Sequence, residues 1–141
     1  MGISIENFGV DNMFILTTCL FIAAWFPFLS KIPLGLAMNK IGGYDNANPR
    51  EQQKKLTGYG ARALGAHQNS YGALTIFGID AVAAIATNSV TFIVDVLAIT
   101  FVVSRVAYHV FYLMNLAGLR SLVWFVGFFS SMRILALSIT F

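Results

Sequence analysis

Charge is scarce in this sequence. Only 11% of its 141 residues are Asp, Glu, Lys or Arg, against 57% hydrophobic, and its mean hydropathy is +0.74. A water-soluble chain this short has a high ratio of surface to volume. It would expose more apolar area than water tolerates, so a soluble globular fold is excluded and lipid is left as the solvent. Cysteine is almost absent. The lone Cys19 excludes an internal disulfide, lies inside an apolar run and reads as a small hydrophobe. No cluster of His, Cys and carboxylates has metal-ligand spacing, so no metal site is expected. There is no phosphate-binding glycine loop and no nucleophile motif. The net charge is +3, but the basic residues form no stripe with interleaved aromatics, which argues against nucleic acid as a partner. The N-terminus carries Glu6 and Asp11 where a cleavable signal would carry positive charge, so the first apolar segment is expected to be retained.

What the sequence does contain is four long apolar segments, at about residues 12–30, 56–87, 90–113 and 119–140. About 20 apolar residues at 1.5 Å each cross a hydrocarbon core about 30 Å thick. All four are long enough. They are continuous rather than alternating, which predicts helices and not strands. The expected fold is an all-α membrane protein, a single four-helix transmembrane bundle over residues 1–141.

The connections give the expected orientation. Residues 31–55 hold Lys31, Lys40, Arg50, Lys54 and Lys55, with turn chemistry at Gly42, Gly43 and the Asn48–Pro49 pair. The connection near Asn88 has no charge. The third, at 115–118, is followed at once by Arg120. The first and third connections share one side of a four-helix protein, and their positive charge predicts that this side is cytoplasmic.

Polar residues inside the spans mark candidate sites, because charge in lipid is costly. Arg62 and Asn69 are seven apart and share a helix face. Arg105, Tyr108 and Tyr112 follow an i, i+3, i+7 pattern with His109 beside them, and Arg120 and Ser121 open the last segment. Arg62, Asn69, Arg105, Tyr112 and Arg120 are expected at one level near the cytoplasmic end. Three guanidiniums there, with few carboxylates near, call for a carboxylate or phosphate partner. The alternative for Arg62 and Arg120 is snorkelling to lipid headgroups. His67 reads either as a hydrogen-bonded packing residue or as a ligand contact. Asp80, Asp95 and Arg133 read as an internal pair or as the marks of a small transporter or channel subunit, although no broken-helix signal accompanies them.

These residues resemble the membrane-associated proteins in eicosanoid and glutathione metabolism, the MAPEG family. The family's second-helix pattern is approximately Glu-Arg-x-x-Arg-Ala-His-x-Asn-x-x-Glu, and Arg62, Ala66, His67 and Asn69 match it. Arg105, Val106 and Tyr112 are similar to its third-helix run, and Arg120–Ser121 to its Arg-Ser pair. Asp45 and the stretch Asn48, Pro49, Arg50 resemble bacterial members. The likeness covers about residues 41–124. It implies a homotrimer in a bacterial inner membrane, surrounded by membrane lipids. Glutathione would lie between subunits near the cytoplasmic face, and a lipophilic small molecule would enter from the bilayer. In that reading Arg62, His67, Asn69, Arg105, Tyr108 and Tyr112 hold the peptide, while Arg120 and Ser121 stabilise its thiolate. The implied activity is a glutathione-dependent transferase or peroxidase. Ala61, Gly65 and Gly72 stand where the pattern has Glu, Arg and Glu. They lie within about 40° of one another at 100° per residue. With Gly58 they form a small-residue face expected to pack closely against another helix. That face favours the alternative, a non-catalytic relative that binds lipid or packs in a larger membrane complex.

Overall fold

The computed structural model describes the backbone of residues 6–140 and the side chains of residues 13–140. Glu6 and Asp11 therefore lie outside the described side chains. The chain is an integral membrane protein of four long helices and one short one. They are α1 (Glu6–Asn39), α2 (Pro49–Gln53), α3 (Gly58–Ala86), α4 (Phe92–Leu113) and α5 (Ala117–Ile139). Each long helix is apolar and long enough to cross a membrane. A helix satisfies every backbone N–H and C=O within itself, which lipid requires.

α1 runs well past its expected end near Ser30. Its 34 residues include Pro27 and Pro33, and at 1.5 Å each they extend about 51 Å. Lys31 opens the basic stretch expected to be a connection, but packing carries the helix through it. Leu34, Ala37 and Met38 are buried against Leu56 and Ala63 at the start of α3. The Ser30 hydroxyl donates to the Pro27 carbonyl at 3.0 Å. Lys31 is thus a helix residue, and the loop proper is residues 40–48.

That loop is tied down by one side chain. Gln52 of α2 is buried. Its amide donates to the carbonyls of Met38 at 3.0 Å and Gly43 at 2.6 Å, and its Oε1 accepts from the Asp45 N–H at 3.0 Å. Asp45 Oδ1 accepts from the backbone N–H groups of Ala47 and Asn48, closing an Asx turn. Gly42 and Gly43 take φ of 98° and 87°, the left-handed region that suits glycine. The other two connections turn at Asn88 and Asn115, both with positive φ.

The bundle core joins Leu16, Cys19 and Ala23 of α1 to Phe77 of α3 and Val94, Ala98 and Phe101 of α4. The rings of Phe77 and Phe101 stack at 4.2 Å. The outer surface is the reverse of a soluble protein's. Phe14, Phe21, Phe28, Phe92 and Phe129 are all more than 60% exposed, a ring of aromatics that only lipid would solvate.

Asp80, Asp95 and Arg133 do not pair. Among the described residues the one ion pair is Lys54–Glu51 at 2.7 Å, on the surface. Asp80 is buried, accepts a hydrogen bond from Ser131 and leaves its Oδ1 without a partner. Asp95 also keeps an unpartnered oxygen. Arg133 is exposed on the opposite side of α5. Spacing along single helices does not reveal that Ser131, 51 residues away, takes the place of an arginine for Asp80.

Candidate functional site

Helices α3, α4 and α5 enclose a cavity of about 550 Å³. Its polar end is built around Arg105. Arg105 is 3% exposed. Nη1 donates to Asn69 Oδ1 at 3.4 Å and Nη2 to the Trp124 carbonyl at 3.1 Å. Its Nε has no partner. The cation also lies over the rings of Tyr108 at 5.1 Å and Phe101 at 5.5 Å. No carboxylate lines the cavity. A buried cation held only by neutral groups keeps much of its desolvation cost, which an arriving anion would offset.

Arg105 fits because α5 is small where it passes. A methyl on Gly127 would meet the Ser104 hydroxyl and come within 2.6 Å of Arg105 Nη2. Beyond the guanidinium the walls become apolar, with Ile76, Phe101, Trp124 and Phe128. An amphiphile with an anionic head suits this gradient.

A second, smaller cavity of about 310 Å³ adjoins the first and shares Tyr108, Tyr112 and Trp124 with it. Arg120 and Ser121 lie on this side. Arg120 stacks over the Tyr112 ring at 4.4 Å, and the Tyr108 and Tyr112 rings meet edge to face at 5.5 Å. Asn69 and Arg105 thus line the first cavity, Arg120 and Ser121 the second, and Tyr108 and Tyr112 both.

Two expected members stand apart. Arg62 lines neither cavity. Its Nε donates at 3.3 Å to the carbonyl of Leu113, the last residue of α4, the capping role that basic side chains take at helix ends. His67 faces the opposite side of α3, where Nδ1 meets the Ser30 hydroxyl at 3.1 Å and the ring meets Tyr71 edge-on at 5.3 Å. Two residues along a helix turn about 200°, so His67 and Asn69 look away from each other. Nor do the three arginines share one level. Arg62 and Arg120 lie within about 6 Å of the ends of α3 and α5, whereas Arg105 is eight residues, about 12 Å, inside α4.

The small-residue face of α3 is divided. Gly72 lines the main cavity, and nothing occupies the space where its side chain would be. Gly65 lies under Tyr112 of the same chain, so that a Cβ there would stand 2.7 Å from the phenol Cζ. Gly65 thus makes room for Tyr112 of the neighbouring helix α4. Gly65→Ala is expected to push Tyr112 off its rotamer at on the order of 0.5–1.5 kcal/mol. If Tyr112 contacts the ligand, affinity should fall about two- to tenfold. Unchanged affinity in a titration of that variant would remove Tyr112 from the site.

Sequence reasoning singled out Gln68 as an intramembrane polar residue without placing it in the site, and missed Trp124, Phe128, Ser131 and Gly127. Trp124 acts through a backbone carbonyl, which no side-chain motif announces. Gly127, set against Ser104 and Arg105 in an otherwise bulky segment, was the one available signal.

No curated protein and no solved structure matches the chain. A sequence model of the MAPEG family does match, over residues 15–140. The match runs through all four membrane helices and the Arg105 cavity between them. The chain belongs to the MAPEG family.

Proposed function

We propose that the protein is a glutathione-dependent transferase or peroxidase acting on lipophilic electrophiles within the membrane. The observation that carries this reading is Arg105, a buried guanidinium with no carboxylate partner and an unpartnered Nε, at the head of a 550 Å³ cavity. Members of the family generally use glutathione, which carries two carboxylates. Arg105 binds one of them, Asn69 and Gln68 offer amide oxygens to the ammonium group, and Tyr108 and Tyr112 hold the peptide by their hydroxyls. Arg120 and Ser121 face the sulfur. A nearby guanidinium favours the thiolate, the nucleophilic form. In transfer, the thiol proton leaves to water, sulfur and the electrophilic carbon form a bond, and the leaving group departs with its electron pair. In peroxide reduction, two glutathiones become one disulfide while the hydroperoxide becomes an alcohol and water.

Glutathione conjugation to an electrophilic aromatic substrate tests this directly. Turnover is expected at millimolar glutathione and should collapse in Arg120→Leu. Binding without conjugation would favour the second reading, a ligand-holding relative. The specific observation behind that reading is the glycine at position 72, where the family pattern carries a cavity-lining acid.

A homotrimer, as the resemblance implies, would place the site near the boundary between subunits. Native mass spectrometry reading a monomer or dimer would contradict that assembly. The basic connection between α1 and α3 is assigned to the cytoplasm of a bacterial inner membrane. A reporter fused near Gly43 is expected inside, and one at the C-terminus outside. The reverse pattern would put the site on the wrong face.

A further inference from the structure

Arg133 lines neither of the two adjoining cavities. It is exposed on the outer side of α5. It stands six residues before Ile139, so about 9 Å inside the helix end that lies opposite the basic loop. Around it runs an open groove of about 560 Å³ between α4 and α5, with Leu97, Val126, Phe129, Met132 and Ala136. Among the described residues no other charged side chain lines this groove. A cation at such a depth is costly and implies a partner.

The described acids do not supply one. Asp80 is 1% exposed and is held by Ser131, which lies two residues and so about 200° round α5 from Arg133. Asp95 is 9% exposed, turned away from Leu97 by the same two-residue rotation on α4. Asp45 and Glu51 lie in the connection at the far end of the bundle. A neighbouring copy would present the same acids, equally covered or equally remote. The anion left at this depth is the phosphate of a membrane lipid, to which an arginine stem reaches out by snorkelling.

The groove suits the rest of such a molecule. Ala136, about one turn nearer the helix end, leaves space for a headgroup. Phe129 and Val126, one and two turns further in, are 63% and 42% exposed. They offer an acyl chain about 10 Å of apolar wall.

We infer that Arg133 binds the phosphate of an anionic phospholipid in the leaflet opposite the basic loop, with an acyl chain along Phe129 and Val126. No acid lines the groove to receive a headgroup ammonium, which selects anionic over zwitterionic lipid. The site is independent of glutathione and stands or falls separately from the proposed activity.

The test titrates the detergent-purified protein with phosphatidylglycerol, phosphatidylcholine and glycerol phosphate. Native mass spectrometry counts each bound molecule, so lipid held elsewhere is scored separately. One phosphatidylglycerol per chain is expected to be lost in Arg133→Leu, with that step weakened by about tenfold or more as a charge-assisted contact disappears. Arg133→Lys should retain most of the affinity. Ala136→Phe keeps the charge, fills the groove and should weaken the same step. Phosphatidylcholine should bind there at least about tenfold more weakly. Equal affinity for the two lipids, or an unchanged count in Arg133→Leu, overturns the inference. So does glycerol phosphate binding as tightly as phosphatidylglycerol, which would make the groove a site for soluble phosphates. A changed oligomeric state in Arg133→Leu with lipid binding intact would make Arg133 a contact between copies and overturn it as well.

Discussion

Arg105→Leu is expected to weaken glutathione binding by roughly ten- to a hundredfold. A charge-assisted hydrogen bond is worth about 1.5–3 kcal/mol, and about 1.4 kcal/mol is a factor of ten. The same substitution should leave the thermal stability of the ligand-free protein unchanged or raised. Without ligand, Arg105 is held by an amide oxygen and a helix carbonyl, not by an opposite charge. An apolar side chain removes its desolvation cost and leaves no buried anion behind. Asn69 loses one donor but borders the cavity, where water or ligand can replace it. Calorimetric affinity and an unfolding curve on the same preparation check both halves. A strong loss of stability with unchanged affinity would make Arg105 a packing residue and sink its assignment to a ligand.

The second large effect is expected at Gly127, which lines neither of the two adjoining cavities. A methyl there would meet the Ser104 hydroxyl and stand 2.6 Å from Nη2 and 3.0 Å from Nε of Arg105. Overpacking of this kind typically costs about 1–3 kcal/mol. The guanidinium must leave the Trp124 carbonyl or α5 must move away from α4. Gly127→Ala should therefore lower stability and also reduce glutathione affinity by about tenfold, with every charge still present. The double variant with Arg105→Leu isolates the cause, because leucine lacks the clashing nitrogens. Its stability cost should be smaller than the sum of the two single costs, the non-additivity expected of residues in contact. Strict additivity would place the Gly127 effect elsewhere in the α4–α5 contact.

The membrane bundle was plain from the sequence because lipid imposes one simple rule, long apolar helices. The family was plain from Arg62, His67, Asn69, Arg105 and Tyr112 taken together. What escaped were features decided by packing between helices. The length of α1 was hidden by the basic stretch that begins at Lys31, whereas the buried Leu34 and Met38 hold the helix together past it and past Pro33. Arg62 and Asn69 do share a face, but Arg62 sits almost two turns nearer the helix end and reaches the final carbonyl of α4. The placement of His67 was within reach of helix arithmetic, since two residues rotate it away from Asn69. The small-residue face looked like a contact between helices. One of its members does meet another helix, through Tyr112 of α4, whereas another is open space in the cavity wall. Spacing identifies which residues share a face but not what fills the volume in front of it.

The central claim is that the α3–α5 cavity binds glutathione through Arg105. It is tested most directly by calorimetric titration of glutathione into the purified full-length protein in detergent. The account predicts saturable heat at or below millimolar glutathione, reduced in Arg105→Leu. A flat titration through the millimolar range would contradict it.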